Sequence, residues 1–325
     1  MEIVDVKEKW GNAINTVTIG ATKEQGGTRG STITVGGETT LPCLTFEGEI
    51  PNRPALAGIV VDIVPDGWPE VLRTAIGDEI NSPAEWAQKC VQEFRVDAIS
   101  LALLGAEPSG RDLPPDHAGG VVKAVLEAVD VPLIIWGCGD EEKDNEVLPV
   151  CSQAAQGENC LIGPTTETNY RTLGALGKAD GHKLVAEAPV DINIAKQINI
   201  LLDDVGFELD NVVMCQSTAA LGYGFDYVYT IFERVRTAGL KGDKMMALPQ
   251  IANVGWEVWK IKEAQADDDI LPGWGKLEMR GPMWETTTAA GYLQAGADIV
   301  CLAHPQAIAL MRENIDELMQ TGGGQ

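Results

Sequence analysis

Short β-branched apolar runs alternate with segments of helical period along most of the chain. Eight runs read as strands: residues 57–64 (AGIVVDIV), 98–104 (AISLALL), 131–136 (VPLIIW), 159–163 (NCLIG), 182–187 (HKLVAE), 211–215 (NVVMC), 245–249 (MMALP) and 297–303 (ADIVCLA). Most are apolar on both faces, as strands held between a core and a helix layer must be. Between them the period changes. Ile194, Ile198, Leu201, Leu202 and Val205 share one helical face, and Ile308, Met311, Ile315, Leu318 and Met319 repeat the pattern after the last run. Ser82-Pro83 reads as an N-cap followed by proline at the first helical position. Gly206 and Gly239 stand where helix C-caps are expected.

Eight βα units in succession predict an α/β fold, a (β/α)8 TIM barrel, with an open doubly wound sheet as the alternative. No strand is followed by GxGxxG or GxxxxGK[ST], which weighs against the open sheet. Residues 1–56 read as an N-terminal extension. Within it, residues 14–19 and 31–35, joined through QGGTRG, predict a β-hairpin able to cap one barrel end. The barrel then occupies 57–325. Residues 250–283 read as an insertion on its C-terminal face, with an amphipathic helix in VGWEVWKIKEAQ.

Charge narrows the function. The 325 residues carry 24 Lys and Arg against 48 Asp and Glu, a net −24. That excess of acid argues against nucleic acid and against an anionic membrane surface as partners. No apolar run approaches the ~18 residues of a spanning helix. The first residues lack a basic-then-apolar signal pattern, so a soluble, cytoplasmic protein is expected. Seven cysteines are present without a CxxC, which argues against a zinc ribbon or an iron–sulfur cluster on this chain.

In such barrels the working face lies at the C-terminal strand ends. The expected ring holds Asp62, Asp66, Glu107, Asp140, Thr165, Thr166, Asn169, Glu187, Asp191, Asn193, Gln216, Ser217, Thr218, Gln250, Asn253 and His304. It is rich in amides and hydroxyls, and no lysine stands where a Schiff-base enzyme needs one. His117, His182 and His304 are isolated and read as structural. Asp62, Glu187 and Asp191 are a candidate divalent-ion cluster, or else solvated acids. QGGTRGST precedes the barrel and reads as a turn rather than a phosphate cradle. The acidic run 139–146 suits a helix N-terminus; docking of a basic partner is the other reading. Trp256, Trp259, Trp274 and Trp284 either form a contact surface or pin the insertion to the barrel.

Longer phrases go further. They are ATKEQGGTRGSTITVGGETTLPCLTFEGEIPNRP (21–54), APVDINIAKQINILLDDVG (188–206), STAALGYGFDY (217–227), WEVWKIKEA (256–264), WETTTAAGYLQAGAD (284–298) and LAHPQAI (302–308). Together they resemble the family that includes the small subunit of the corrinoid iron–sulfur protein and the delta subunit of archaeal acetyl-CoA decarbonylase/synthase. GGTRG…TVGGET and GYG-x-[DE]-Y are the most specific parts. Cys215-Gln216 stands where archaeal members place a DP-type dipeptide, which favours the bacterial form.

The resemblance implies a barrel related to pterin-dependent methyltransferases, paired with a large subunit that carries a [4Fe-4S] cluster and a cobamide-binding domain. It implies a methyl carrier of the reductive acetyl-CoA pathway, not catalytic alone. The methyl group passes from methyltetrahydrofolate, on a partner methyltetrahydrofolate:corrinoid methyltransferase, through cobalt to CO dehydrogenase/acetyl-CoA synthase. The barrel mouth then caps the cobamide, and strand-end position nominates Thr165, Asn193, Gln216, Ser217, Thr218 and Gln250 as contacts to the peripheral corrin amides. No side chain of this chain is expected to ligate cobalt. Two other readings stay open: a self-sufficient pterin-dependent methyltransferase using Asp191 and Asn193, and a metal-dependent aldolase or lyase.

Overall fold

The computed structural model describes residues 7–321; residues 1–6 and 322–325, the outer ends of the expected extension and barrel, lie outside the described residues. An antiparallel hairpin comes first, β1 Thr16–Ile19 and β2 Ile33–Gly36. Eight parallel strands follow: β3 Ala55–Val61, β4 Ala98–Ala102, β5 Leu133–Trp136, β6 Leu161–Thr165, β7 Lys183–Glu187, β8 Val212–Cys215, β9 Gln250–Ala252 and β10 Ile299–Leu302. They close in sequence order, with β10 beside β3, so the fold is the TIM barrel and not the open sheet. The helices are α1 Glu70–Ile76, α2 Pro83–Gln92, α3 Pro115–Ala128, α4 Glu141–Ala154, α5 Tyr170–Asp180, α6 Ile192–Asp204, α7 Phe225–Leu240, α8 Val254–Val258, α9 Lys262–Gln265, α10 Leu277–Ala295 and α11 Pro305–Thr321. Ser82 caps α2 by accepting from Glu85 N, as its position before Pro83 predicts.

Three expectations are corrected. The run MMALP is the approach to a strand; β9 itself begins at Gln250. Ala247 O is taken by Asn15 N of the extension at 2.7 Å, and Pro249 has no N–H to give to a ladder. Gly239 lies inside α7, because a Cβ there would meet Ala247 Cα and Met246 O at 2.8 Å. Finally, VGWEVWKIKEAQ does not form one helix but breaks into α8 and α9.

The hairpin closes the N-terminal end of the barrel. Asn159 Nδ2 donates to Thr18 O and Gly20 O, both at 3.0 Å, and Gly30 N donates to Asp130 O at 2.7 Å. These partners, like Ala247, stand just before barrel strands. Val17 and Ile19 are fully buried and join the core. The GGTRG phrase has a structural task here. Arg29, 3% exposed, sends Nε to Glu158 at 2.8 Å, Nη1 to Val129 O at 2.6 Å and Nη2 to Leu126 O at 2.7 Å. It thereby satisfies carbonyls at the C-terminal end of α3.

Strand alternation and register put Val61, Ala102, Trp136, Glu187 and Cys215 on the inward face near the mouth. Ser100 on β4 meets Cys301 on β10 over the intervening β3, and Trp136 Nε1 donates to Ser100 Oγ at 3.0 Å. The small residues Ala98 and Ala102 make room for this indole, so the lumen is a packed core under the mouth.

Removing the buried guanidinium strands both Glu158 and the α3 carbonyls. Arg29→Met is expected to lower unfolding free energy by about 3–5 kcal/mol, read as a fall in urea midpoint at unchanged slope.

Candidate functional site at the barrel mouth

The phrase STAALGYGFDY forms the loop between β8 and α7, and one stripe of α10 holds it by the backbone. Trp284, Thr288 and Tyr292 follow one another at the four-residue spacing of a helix face. Trp284 Nε1 donates to Leu221 O at 2.9 Å, and Thr288 Oγ1 accepts from Leu221 N at 3.3 Å. Tyr292 Oη accepts from Ala219 N at 2.9 Å and donates to Ala219 O at 2.8 Å. Thr218 Oγ1 accepts from Asn253 N at 2.9 Å, and Ser217 Oγ donates to Ala188 O at 2.9 Å, tying in the loops after β9 and β7. Ser217 holds a left-handed φ of 52°, a strained value for a non-glycine residue. Gly222 and Gly224, at φ 83° and 95°, make the turn that presents Leu221 and Tyr223 outward.

A buried carboxyl anchors the insertion. Glu285 on α10 accepts from Ala303 N, from His304 N at 3.2 Å and from Trp259 Nε1 at 2.9 Å. Trp259 stacks on His304 with centroids 5.8 Å apart. Gly281 leaves space for that indole; a Cβ would meet it at 2.3 Å. The tryptophans thus divide between the two sequence readings. Trp259 is buried and pins the insertion, while Trp256 packs edge-on against Trp68 at 5.7 Å. Trp274 is exposed, and Trp284 joins it to Tyr223 through ring contacts of 6.1 Å.

The charged groups of the ring are mostly engaged in holding loops. Asp62 Oδ1 accepts from Ile63 N and Gly105 N, and His117 Nε2 faces its Oδ2 at 3.6 Å. Asp144 accepts from Cys138 N and Gly139 N, and Asp140 caps α4, which absorbs much of the acidic run into helix-start structure. His182 accepts from Cys160 N and pairs with Ser152 O; burial lowers its pKa. Burial pushes His304 down to about 4, so both imidazoles are neutral and structural. Asp62, Glu187 and Asp191 are not brought together: among the described residues no three His, Cys, Asp or Glu side chains are placed to hold a metal ion. Glu187 is the group left facing the mouth. Burial, then the nearby Asp144 and Glu257 charges, push its pKa up to about 7.

The six nominated contacts fare differently. Asn193 is exposed in the first turn of α6, and Ser217 and Thr218 are half-buried on the clamped loop. Thr165 and Gln216 stand at mouth-side strand ends but are fully buried, with the Thr165 hydroxyl and both Gln216 amide atoms unpartnered. An extra residue in β6 shifts Thr165 into register with Ala186, off the inward face. Gln250 is at the wrong end. It opens β9, and its Nε2 donates to Phe232 O at 3.2 Å and Gly296 O at 3.3 Å. Asn253 is the amide that follows β9 at the mouth. The pterin-type pair also dissolves: Asp191 Oδ1 accepts from Asn193 N and Ile194 N as the N-cap of α6.

Sequence reasoning offers the tryptophans, Trp274 among them, as a contact surface but names none of the other residues of the exposed apolar rim. Of the ten exposed large hydrophobic residues among those described, Val190, Leu221, Tyr223, Tyr227, Ile270, Trp274, Met279 and Met283 lie on the mouth side; Phe46 and Leu318 lie at the other end. The available signal was an apolar residue set between glycines, Leu221-Gly222-Tyr223-Gly224. A gap in polarity there has no core to serve.

Residues 16–311 match the family described as CO dehydrogenase/acetyl-CoA synthase delta subunit. The acetyl-CoA decarbonylase/synthase complex subunit delta of Archaeoglobus fulgidus is 38% identical over 317 residues, covering 96% of this chain and 70% of that protein. The subunit of the same name from Methanosarcina mazei is 33% identical over 327 residues, covering 98% and 74%. Among solved structures, dihydropteroate synthase from Stenotrophomonas maltophilia with active site-bound imidazole superposes with a TM-score of 0.57 at 13% identity, covering 88% of this chain and 100% of that one. Dihydropteroate synthase from Xanthomonas albilineans with 4-aminobenzoic acid gives 0.56 at 12%, covering 88% and 99%. At such identities the likeness is one of fold.

Two outcomes follow from the site's energetics. Tyr292→Phe leaves Ala219 N–H and C=O unmet and is expected to cost about 1–3 kcal/mol. The same variant should speed hydrogen exchange at Ala219 and Leu221 while the strands stay protected. The raised Glu187 pKa stabilises the fold at low pH and withdraws that contribution as pH climbs from about 4.5 toward about 7. Glu187→Gln should therefore flatten the fall in denaturant midpoint between pH 5 and pH 8; an unchanged pH dependence contradicts the assignment.

Proposed function

The chain belongs to the CO dehydrogenase/acetyl-CoA synthase delta subunit family, and from that membership we propose that it is the small subunit of a corrinoid iron–sulfur protein, closing its barrel mouth over a cobamide held by a larger partner. The observation that carries this reading is the gathering of exposed apolar side chains on the mouth side, with Leu221 and Tyr223 on a loop that the α10 stripe holds. Monomeric surfaces seldom leave such a cluster uncovered, and a rigid rim loses little entropy on docking.

The residues present fit a corrin from outside. Val190, Leu221 and Tyr223 offer apolar cover for a macrocycle, and the Asn193 amide and the Thr218 hydroxyl proton are free to meet peripheral amides. Thr165, Gln216 and Gln250 are withdrawn from the contact set, because a buried side chain cannot touch a group held by another subunit. When bound, a cobamide supplies methyl transfer at its cobalt. This chain excludes water from that face, orients the ring edge and, through Glu187, holds a proton beside the mouth near neutral pH. The iron–sulfur cluster belongs to the large subunit in this reading. The methyl group comes from methyltetrahydrofolate on a partner methyltetrahydrofolate:corrinoid methyltransferase and goes to CO dehydrogenase/acetyl-CoA synthase.

A self-sufficient pterin methyltransferase is disfavoured by two observations. Asp191 is committed to capping α6, and Trp136 occupies the lumen beneath the mouth. Among the described residues no helix is long and apolar enough to cross a membrane.

The double variant Leu221→Asp/Tyr223→Asp changes exposed side chains only and should leave the fold intact. It is expected to weaken association with the cobamide-bearing large subunit at least tenfold in co-purification or calorimetry. Phe46→Asp, at the other barrel end, should bind as the parent does. Equal binding by all three proteins contradicts the proposal.

A further inference from the structure

A cavity of about 480 Å³ lies at the end of the barrel opposite the mouth, between the N-terminal extension and helices α10 and α11. Pro42, Pro51 and Pro54 form one wall; Leu293, Ile315 and Met319 form the other. Fixed proline backbone keeps the first wall from collapsing inward. The cavity's size and apolar walls suit a small organic molecule.

Its floor is polar. Arg236 is 1% exposed; Nη1 donates to Glu38 at 2.6 Å, and Nη2 to Gly296 O at 2.6 Å and Asp298 at 2.7 Å. The Nε–H of this guanidinium has no partner. Gly296, at φ 115°, packs closely over it: a Cβ there would stand 3.0 Å from Nε. Arg236 pairs with both Glu38 and Asp298; burial raises Asp298 while the guanidinium lowers Glu38 against burial, so the floor offers no excess positive charge. Glu49 on the wall adds a negative charge that opposes an anion.

We infer that this cavity binds a neutral, largely apolar molecule seated between its proline wall and the α10–α11 wall. The site is separate from the mouth and independent of the cobamide reading. Cys43 on its rim is the exposed thiol, raised somewhat by burial; of the other six, five are buried, and burial pushes half-buried Cys138 up to about 12. Cys43 therefore reports occupancy through its rate of alkylation.

The test uses the full chain, iodoacetamide, peptide mass spectrometry at Cys43, and three probes: 2-octanone, octanoate and octylammonium. The ketone should protect Cys43 saturably, at least fivefold, and bind at least tenfold more tightly than either charged probe. Leu293→Trp, which fills the cavity from α10, should abolish the protection. Ile50→Trp fills it from the extension and serves if the first variant does not fold. Absence of saturable protection by the ketone, equal protection by the charged probes, or protection that persists in a folded filled variant overturns the inference.

Discussion

Three side chains on one face of α10 decide what the barrel mouth presents. Trp284, Thr288 and Tyr292 meet the backbone of Ala219 and Leu221 much as a neighbouring strand would, and so make a glycine-containing loop rigid. A loop of that composition, free in water, would sample many conformers and lose entropy on docking. Held in place, it presents Leu221 and Tyr223 as fixed apolar points. Two phrases that are 67 residues apart at Leu221 and Thr288 thus form one device, which explains why the loop and the helix are both distinctive in sequence.

The two ends of the barrel are given different work. At the N-terminal end the hairpin, Arg29 and the Arg236 group close the core with buried hydrogen bonds and ion pairs. The C-terminal end is then free to carry strain and exposed apolar surface. Ser217 in a left-handed conformation, a half-buried carboxyl near neutrality at Glu187 and the rim residues all lie there. Glu285 links the two layers of the mouth, because the same carboxylate accepts from the end of β10 and from the insertion. Local cost is tolerated where function needs it and is offset by the sealed end.

The barrel was legible because double-sided apolar runs and helical periods are local properties. β9 was misplaced by five residues because Met245–Pro249 is apolar for a different reason, contact with the extension beneath the barrel. The same slip sent Gln250 to the wrong end. Thr165 and Gln216 were placed at the correct end, but burial depends on the residues that cover them, and one extra residue in β6 altered the register. Strand-end position cannot distinguish a side chain facing solvent from one sealed under a loop. Trp274 apart, the rim residues go unnamed for the converse reason: strand-end polarity nominates contacts, whereas Val190, Leu221 and Tyr223 are apolar and sit on loops beyond the strand ends. The Arg29 network shows a third limit. GGTRG was read as a turn, and the turn is there, but its arginine serves the end of a helix ~100 residues away, a distance no local pattern conveys.

Backbone hydrogen exchange of the chain, alone and in complex with the cobamide-bearing large subunit, tests the central claim most directly. The expected result is added protection on the loops after β7 and β8, around Val190, Asn193 and Leu221, with the β1–β2 hairpin unchanged. Protection confined to the hairpin end, with the rim amides exchanging as in the free chain, contradicts it.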